Sequence, residues 1–236
     1  MFGSYQVPLE IIEDDLSVSI TKERGNLIYR RDCFGDSTQK RILGADAKIL
    51  INPIEPLTLP KRITDRLFIE FKEELVVKPD SSEQIFLKFP LEIGIFISSD
   101  NEDFKILDVV SLTKQKYTLY GDPKNGMICK YWMSDIYSSI PDADHLLEGI
   151  LKLNIKNSTN NWLDVNKVVL HGNIMKIYYN SYMVSMALDM NIIGSDIAEI
   201  SSLKTPLKGE MNRSRECFVP RTIPGVPIKF TMGWGI

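Results

Sequence analysis

The stretch Leu146–Met190 reads LLEGILKLNIKNSTNNWLDVNKVVLHGNIMKIYYNSYMVSMALDM, and it carries the clearest structural pattern in the chain. Its apolar residues alternate with polar ones in four runs. A period of two is typical of a β-strand with one buried face. Short polar breaks separate the runs, and the first of them, residues 157–161, has the small side chains of a tight loop. The pattern predicts an antiparallel meander with one buried, apolar face.

The same alternation continues on both sides of this stretch, and no helical period lasts more than two turns. We therefore predict an all-β fold with little helix, built as an antiparallel β-sandwich of two packed lobes. Residues 1–133 would form an N-terminal β lobe and residues 146–236 a C-terminal β-sandwich lobe. Residues 134–145, which include Pro141, would link them. A single β domain is the alternative.

Two further segments give local predictions. Residues 53–60 contain three prolines, and each proline removes a backbone donor, so this segment should not be a central strand. At the C-terminus, large apolar residues alternate with small or polar ones, which predicts a terminal strand docked on the sheet. Its core residues would be Phe230, Met232, Trp234 and Ile236.

The composition excludes several classes of protein. The chain has 236 residues, a hydrophobic fraction of 44% and a charged fraction of 25%, as in ordinary soluble globular proteins. Its formal charge of −3 argues against a nucleic-acid partner. The longest apolar run falls far short of the ~20 residues of a membrane-spanning helix. The N-terminus lacks a signal-peptide pattern, and Cys33, Cys129 and Cys217 are expected to be reduced thiols in a cytoplasmic protein.

Most catalytic signatures are missing from the sequence. The two histidines have no cysteine or histidine at metal-ligand spacing, and no phosphate or dinucleotide loop occurs, so we expect neither metal nor cofactor. Paired carboxylates could still support glycoside hydrolysis, although carboxylates are usually solvated. The available ones are Glu70, Glu73, Glu74, Asp100, Glu102 and Asp103.

The strand Met127–Met133 carries the one site hypothesis that the residues suggest. Lys130 and Trp132 share a face, close to the turn that begins with Tyr120 and Asp122. Such a face can bind a small polar ligand, with the indole as a platform and a charged group that fixes its orientation. The alternative is that Lys130 lies over Trp132 at an interface between lobes, without any ligand.

A second candidate is the cluster of charged groups near the C-terminus. Arg213 and Arg215 flank a serine and precede Glu216, which is the densest group of guanidinium side chains in the chain. These arginines could clamp an anion. The alternative is a solvated turn.

Several short motifs together resemble a known family. They occur in the order Tyr120-Gly121-Asp122-Pro123, Gly126, Tyr131-Trp132, Ser134, Met175-Lys176-Ile177-Tyr178-Tyr179, Ser214 with Glu216, and Met232-Gly233-Trp234-Gly235. This order is similar to that of an uncharacterised archaeal family, the domain of unknown function numbered 432. The family's strand has Arg before the Tyr-Trp pair, where this chain has Lys130. The resemblance implies a cytoplasmic archaeal protein and no particular activity.

From the residues we expect a non-enzymatic module that binds a partner protein or a small polar ligand. A hydrolase that acts on a carbohydrate or another small polar substrate is the alternative. No catalytic residue can be assigned, and the sequence leaves open both the ligand and whether the chain forms a homo-oligomer.

Overall fold

The computed structural model describes residues 1–13, 15–60, 63–99, 103–218 and 228–236. Strands dominate these residues, and their only helix is a 3-10 turn at Gly172–Ile174. The strands form sheets that are rich in antiparallel pairs and pack face to face around two main cores. The predicted all-β fold with little helix is confirmed, and its antiparallel-rich sheets pack together.

The first lobe contains two four-stranded sheets. One sheet has the order β1-β6-β9-β10, with β1 at Gly3–Gln6, β6 at Lys48–Ile54, β9 at Glu92–Ser98 and β10 at Lys105–Val110. The other has the order β2-β3-β4-β5, with β2 at Leu9–Glu13, β3 at Leu16–Glu23, β4 at Asn26–Cys33 and β5 at Asp36–Leu43. Alternate apolar residues of β3, β6 and β9 meet in one core, as a period of two requires.

The second lobe contains a four-stranded and a seven-stranded sheet. The smaller sheet has the order β11-β12-β7-β14, with β7 at Arg66–Val77, β11 at Tyr117–Tyr120, β12 at Met127–Ser134 and β14 at Leu163–His171. The larger sheet is built from β8 at Ser81–Pro90, β13 at Glu148–Asn157, β15 at Tyr178–Tyr179, β16 at Val184–Ile192, β17 at Ala198–Leu203, β18 at Asn212–Arg213 and β19 at Lys229–Met232. The two sheets enclose the largest core of the molecule.

The predicted meander in residues 146–190 is wrong, although its strands exist. β13 pairs in parallel with β16, whereas β14 pairs antiparallel with β7 in the other sheet. The polar loop after β13 therefore carries the chain from one sheet to another. Asn157 stabilises this crossing, because its buried amide donates to the carbonyls of Val77, Lys78 and Asn161. Alternation predicts which face of a strand is buried, but it does not predict the neighbouring strand.

The prolines of residues 53–60 predicted that this segment would not belong to a central strand. Pro53 nevertheless lies within β6, a strand with neighbours on both sides. It pairs with Ile93 of β9. β1, on the other side of β6, reaches only as far as Ile51. Pro53 thus occupies a part of the strand that has one neighbour only among the described strands, where a missing N–H leaves no partner unsatisfied.

The chain passes between the lobes more than once. β7 and β8 belong to the second lobe, β9 and β10 return to the first, and β11 enters the second again. Phe2 packs against the cores of both lobes. Whether residues 1–133 and 146–236 fold as separate units stays a prediction.

The terminal segment is docked as expected, with one exception. Met232 and Ile236 are buried and Phe230 packs partly against the core, but Trp234 is 42% exposed. The strand ends at Met232, and Gly235 has φ of +89°. The alternation stops there, and the indole of Trp234 lies outside the core.

Among the residues that the structure describes, no helix has the length and apolar composition that a membrane span requires.

Candidate binding groove beside β12

The main surface groove near the predicted site exists because β12 is longer than its neighbour β11. Pairing between the two strands ends at Tyr117 opposite Lys130, with one further bond from the Tyr131 amide to the Lys116 carbonyl at 2.8 Å. Beyond that point β12 pairs with β7 on its other side only, within the described part of the chain. The space left over is a groove of about 450 Å³. Its lining residues are Thr113, Lys114, Lys116, Tyr131, Trp132 and Met133.

Trp132 supplies an aromatic wall of the groove, and two polar side-chain atoms buried near it are unsatisfied among the described residues. Trp132 packs partly against the large core, and its indole Nε1 is buried without an acceptor among the described residues. Gln115 is not among the lining residues; it donates from Nε2 to Ser111 Oγ at 2.7 Å and to the Thr113 carbonyl at 3.0 Å. Its Oε1 is buried and likewise lacks a described partner. A buried indole N–H normally finds a hydrogen-bond partner, so Trp132 Nε1 is an unsatisfied donor among the described residues.

Two cations lie at the rim of the groove. Lys114 and Lys116 are exposed, and neither forms an ion pair with a residue that the structure describes. Their ammonium groups therefore create a positive potential at the groove, although the whole chain is negative.

Lys130, the cation that the sequence suggested, has a different environment. Its Nζ lies 2.9 Å from Glu92 Oε1, and both side chains are buried. Glu92 also accepts the amides of Thr58 at 2.9 Å and Leu59 at 3.2 Å. Burial raises the pKa of Glu92 and lowers the pKa of Lys130. The ion pair ties β12 to the start of β9, and the ammonium of Lys130 points at Glu92.

Tyr131 also lines the groove, and its hydroxyl is fixed by a hydrogen bond. It donates to Glu70 Oε2 at 2.5 Å, and its ring stacks on Phe68 with 6.2 Å between centroids. Burial and the Glu70 carboxylate raise the pKa of Tyr131 to about 12, so the phenol remains a neutral donor.

The carboxylates considered for hydrolysis lie at several positions. Glu70 accepts the Tyr131 hydroxyl, whereas Glu73 and Glu74 are exposed on β7. Asp103 is exposed before β10. Asp100 and Glu102 lie outside the described residues.

Tyr120 and Asp122 lie at the other end of the β11–β12 hairpin. Tyr120 donates its hydroxyl to the Gly235 carbonyl at 2.9 Å and accepts the Trp234 amide at 3.0 Å. Asp122 Oδ1 accepts two backbone amides of its own turn, which lower the pKa of its carboxyl. Trp132 is five residue steps along β12 from Met127, which lies opposite Tyr120, and this amounts to roughly 16 Å. The structure therefore does not bring these two residues to the groove.

The arginine cluster belongs to another part of the second lobe. Glu216 forms ion pairs with both Lys176 and Arg213. Ser214 donates to the Pro53 carbonyl and accepts Asn52 Nδ2 at 2.8 Å, which fixes the segment on β6. Its neighbour Arg215 lies over the ring of Phe104, 5.4 Å from the centroid.

Sequence reasoning missed the buried carboxyl group of Glu55. Its Oε2 accepts the Cys217 amide at 3.1 Å, while Oε1 has no partner among the described residues. Burial raises the pKa of Glu55 to about 7. A single Glu in a proline-rich segment gives no sequence signal of burial. Lys114 and Lys116 were missed for a different reason, since two lysines in a polar loop usually mark a solvated surface.

Among the described residues, no histidine or cysteine belongs to a catalytic or metal-binding arrangement. His171 Nδ1 accepts the Asn173 amide at 3.1 Å, so its proton lies on Nε2, 3.0 Å from Asp65 Oδ2. Both ring nitrogens of His171 thus have hydrogen-bond partners. Burial raises the pKa of the Cys129 thiol to about 12. No group of His, Cys, Asp and Glu residues in the described ranges is arranged to hold a metal ion.

Comparison with protein families gives a match to a family described as a protein of unknown function, DUF432, over residues 1–233. Comparison with curated proteins and with solved structures finds no match.

Proposed function

Because this chain belongs to the DUF432 family of proteins of unknown function, whose description names no activity, we propose a function from its own geometry. The protein is a non-enzymatic binding module, and the groove beside β12 holds an anion that carries a flat ring. The observation that supports this proposal most directly is the placement of Trp132 and Lys116 on the same groove.

Each part of the ligand corresponds to a part of the groove. The ring would lie against Trp132, because aromatic faces stack with an offset. The anionic group would lie at the rim, where Lys114 and Lys116 supply positive charge. The volume of about 450 Å³ is within the range of about 300–1,000 Å³ that small-molecule sites occupy.

The Lys130–Glu92 pair has a supporting role in this proposal. It fixes the backbone of β12 two residues before Trp132, since both charged groups are buried and hydrogen-bonded. Lys130 is therefore proposed as a positioning residue for Trp132.

We also propose a reducing compartment such as the cytoplasm. Cys33, Cys129 and Cys217 are all thiols in the structure, as expected from the sequence. Thiols that are not joined in disulfides are typical of proteins in reducing compartments.

An aromatic sulfonate with a flat naphthalene ring, 1-anilinonaphthalene-8-sulfonate, tests the groove by fluorescence titration of the native protein. Trp132→Ala should weaken binding at least tenfold, through loss of the stacking surface. Lys116→Ala should weaken it by roughly two- to fivefold, which corresponds to about 0.5–1 kcal/mol for an exposed charge. Lys124→Ala, a charge deletion on the exposed turn at the far end of the hairpin, is the matched control.

The outcome that contradicts the proposal is equal binding by wild type, Trp132→Ala and Lys116→Ala. Circular dichroism and thermal melting of each variant show whether it is folded. If Trp132→Ala melts far below wild type, Trp132 serves the core, and Trp132→Phe with Lys116→Ala then decides the role of the groove.

A further inference from the structure

The second lobe has a further cavity, which shares no lining residue with the groove beside β12. Its volume is about 330 Å³, at the small end of the range of about 300–1,000 Å³ that small-molecule sites occupy. Three parts of the chain surround it: the loop before β13, the first residues of β13 and β16 with the turn before β16, and the segment after β17. The lining residues are Ile140, Pro141, Asp142, Ala143, Ile150, Tyr182, Met183, Val184 and Lys208.

Ile150 and Val184 give the cavity an apolar side. Ile150 is 2% exposed and Val184 is 1% exposed, and they lie near the start of β13 and β16, which pair in parallel. Met183, the residue before Val184, adds a partly buried thioether side chain. This side of the cavity favours an apolar group on a ligand, because the removal of apolar surface from water is favourable.

Hydrogen bonds fix two of the walls. Asn180 Oδ1 accepts the amides of Tyr182 at 3.1 Å and Met183 at 2.9 Å, which holds the turn before β16. The loop of residues 140–143 is followed directly by Asp144, whose carboxylate accepts an amide of its own turn at 3.0 Å. Walls that are already ordered reduce the conformational freedom that is lost when a ligand binds.

Two side chains of opposite charge line the cavity from different segments. Lys208 follows β17, and its Nζ lies over the ring of Tyr182, 5.3 Å from the centroid. Asp142 belongs to the loop before β13. Neither Asp142 nor Lys208 forms an ion pair with a residue that the structure describes, so they do not pair with each other. Both charges are therefore available to a ligand in the cavity.

We propose that this cavity binds a small zwitterion with an apolar body, namely an apolar α-amino acid. The ammonium group of the ligand pairs with Asp142 and its carboxylate pairs with Lys208, while its side chain lies against Ile150 and Val184. A ligand with a single charge leaves one of the two protein charges without a partner, so charge complementarity favours the zwitterion. This site is independent of the one proposed beside β12.

Isothermal titration calorimetry of the full-length protein at neutral pH tests the ligand class with L-leucine, which should bind saturably. Two analogues keep the apolar body but only one charge: leucinamide lacks the carboxylate, and 4-methylpentanoate lacks the ammonium group. Each should bind at least tenfold more weakly than leucine, because one protein charge then has no partner. Absence of saturable binding by leucine, valine and methionine overturns the proposal, and so does equal binding by leucine and its two analogues.

Two variants assign each charge of the ligand to its partner. Asp142→Asn should weaken leucine binding at least fivefold and remove the preference for leucine over 4-methylpentanoate, since the ligand ammonium group has lost its counter-charge. Lys208→Gln should weaken leucine binding to a similar extent but remove the preference for leucine over leucinamide. Lys204→Gln and Glu210→Gln delete the same two kinds of charge at exposed positions outside the cavity, so both should bind leucine like wild type.

The pattern of preferences decides the assignment. If Asp142→Asn and Lys208→Gln each lose both preferences, or neither, the two charges do not hold the ligand as proposed. Because both positions are exposed, the two variants should melt like wild type, and a loss of binding then reports on the contact and not on folding. Weakening by Lys204→Gln and Glu210→Gln to the same degree would show that net charge controls binding, which also overturns the proposal.

Discussion

Lys130 and Glu92 form an ion pair 2.9 Å long although neither side chain reaches solvent. The pair connects the strand beneath the groove to the start of β9. Burial disfavours both charges, which is why it raises the pKa of Glu92 and lowers that of Lys130. The interaction therefore positions β12 but contributes little net stability, whereas the loss of one partner leaves the other charge buried alone.

Lys130→Met should destabilise the protein by about 3–5 kcal/mol, because the Glu92 carboxylate loses its counter-charge. Urea unfolding at neutral pH measures the change. Lys130→Met combined with Glu92→Gln should recover part of the loss, since the neutral amide can still accept the Thr58 and Leu59 amides. Lys72→Met is the matched control: the Lys72–Asp135 pair is about half exposed and should contribute at most about 1 kcal/mol. Equal losses in the two single variants would contradict the assigned role.

Glu55 should make stability depend on pH. Its pKa is about 7 in the folded protein and 4.5 ordinarily, so the folded state binds the proton more tightly than the unfolded chain. The stability from this group is therefore present below about pH 4.5 and is lost as pH rises through 7. The loss is on the order of 3 kcal/mol.

Glu55→Gln tests this effect through urea midpoints measured from pH 5 to pH 8. Gln keeps an acceptor for the Cys217 amide and cannot ionise. The variant should lack the wild-type decline over this range and should exceed wild type in stability at pH 8. Parallel pH profiles of variant and wild type would show that Glu55 does not titrate near neutrality.

Two glycines near the C-terminal contact should respond in opposite ways to alanine. A Cβ on Gly121 would lie 2.9 Å from the Gly126 backbone and 3.0 Å from the Trp234 ring, and φ there is +108°. Gly121→Ala should therefore destabilise the protein by about 1–3 kcal/mol. A Cβ on Gly233 would meet nothing within 4 Å, so Gly233→Ala should be close to neutral. Thermal melting of both variants compares them, and a Gly233→Ala loss as large as that of Gly121→Ala would contradict the assignment.

The sequence predicted the strands well because burial of alternate side chains is a local property. Leu151, Leu153 and Ile155 are all fully buried on β13, as their spacing required. The partner of a strand is a nonlocal property. Nothing in β13 indicated that its parallel neighbour is β16, because the two strands are brought together by the crossing of β14 into another sheet.

The site was less predictable, because burial of charge depends on tertiary contacts. Lys130 and Glu92 are 38 residues apart, and no local pattern shows that they meet. Trp132 could be chosen from its strand alone. The groove around it comes from the unequal lengths of β11 and β12, which a sequence pattern does not record.

The C-terminal segment provides the last prediction. Met232 is fully buried, with its Sδ 3.4 Å from the Val169 amide, whereas Trp234 lies over Gly121 and is 42% exposed. Met232→Ala should lower stability by about 2–5 kcal/mol, as expected for a large-to-small change in a core. Trp234→Ala should lower it by less, although the residue is larger, since much of the indole already meets water. Urea unfolding of both variants gives the order of the two losses. A greater loss in Trp234→Ala would mean that the indole, and not the terminal strand, fixes this end of the chain.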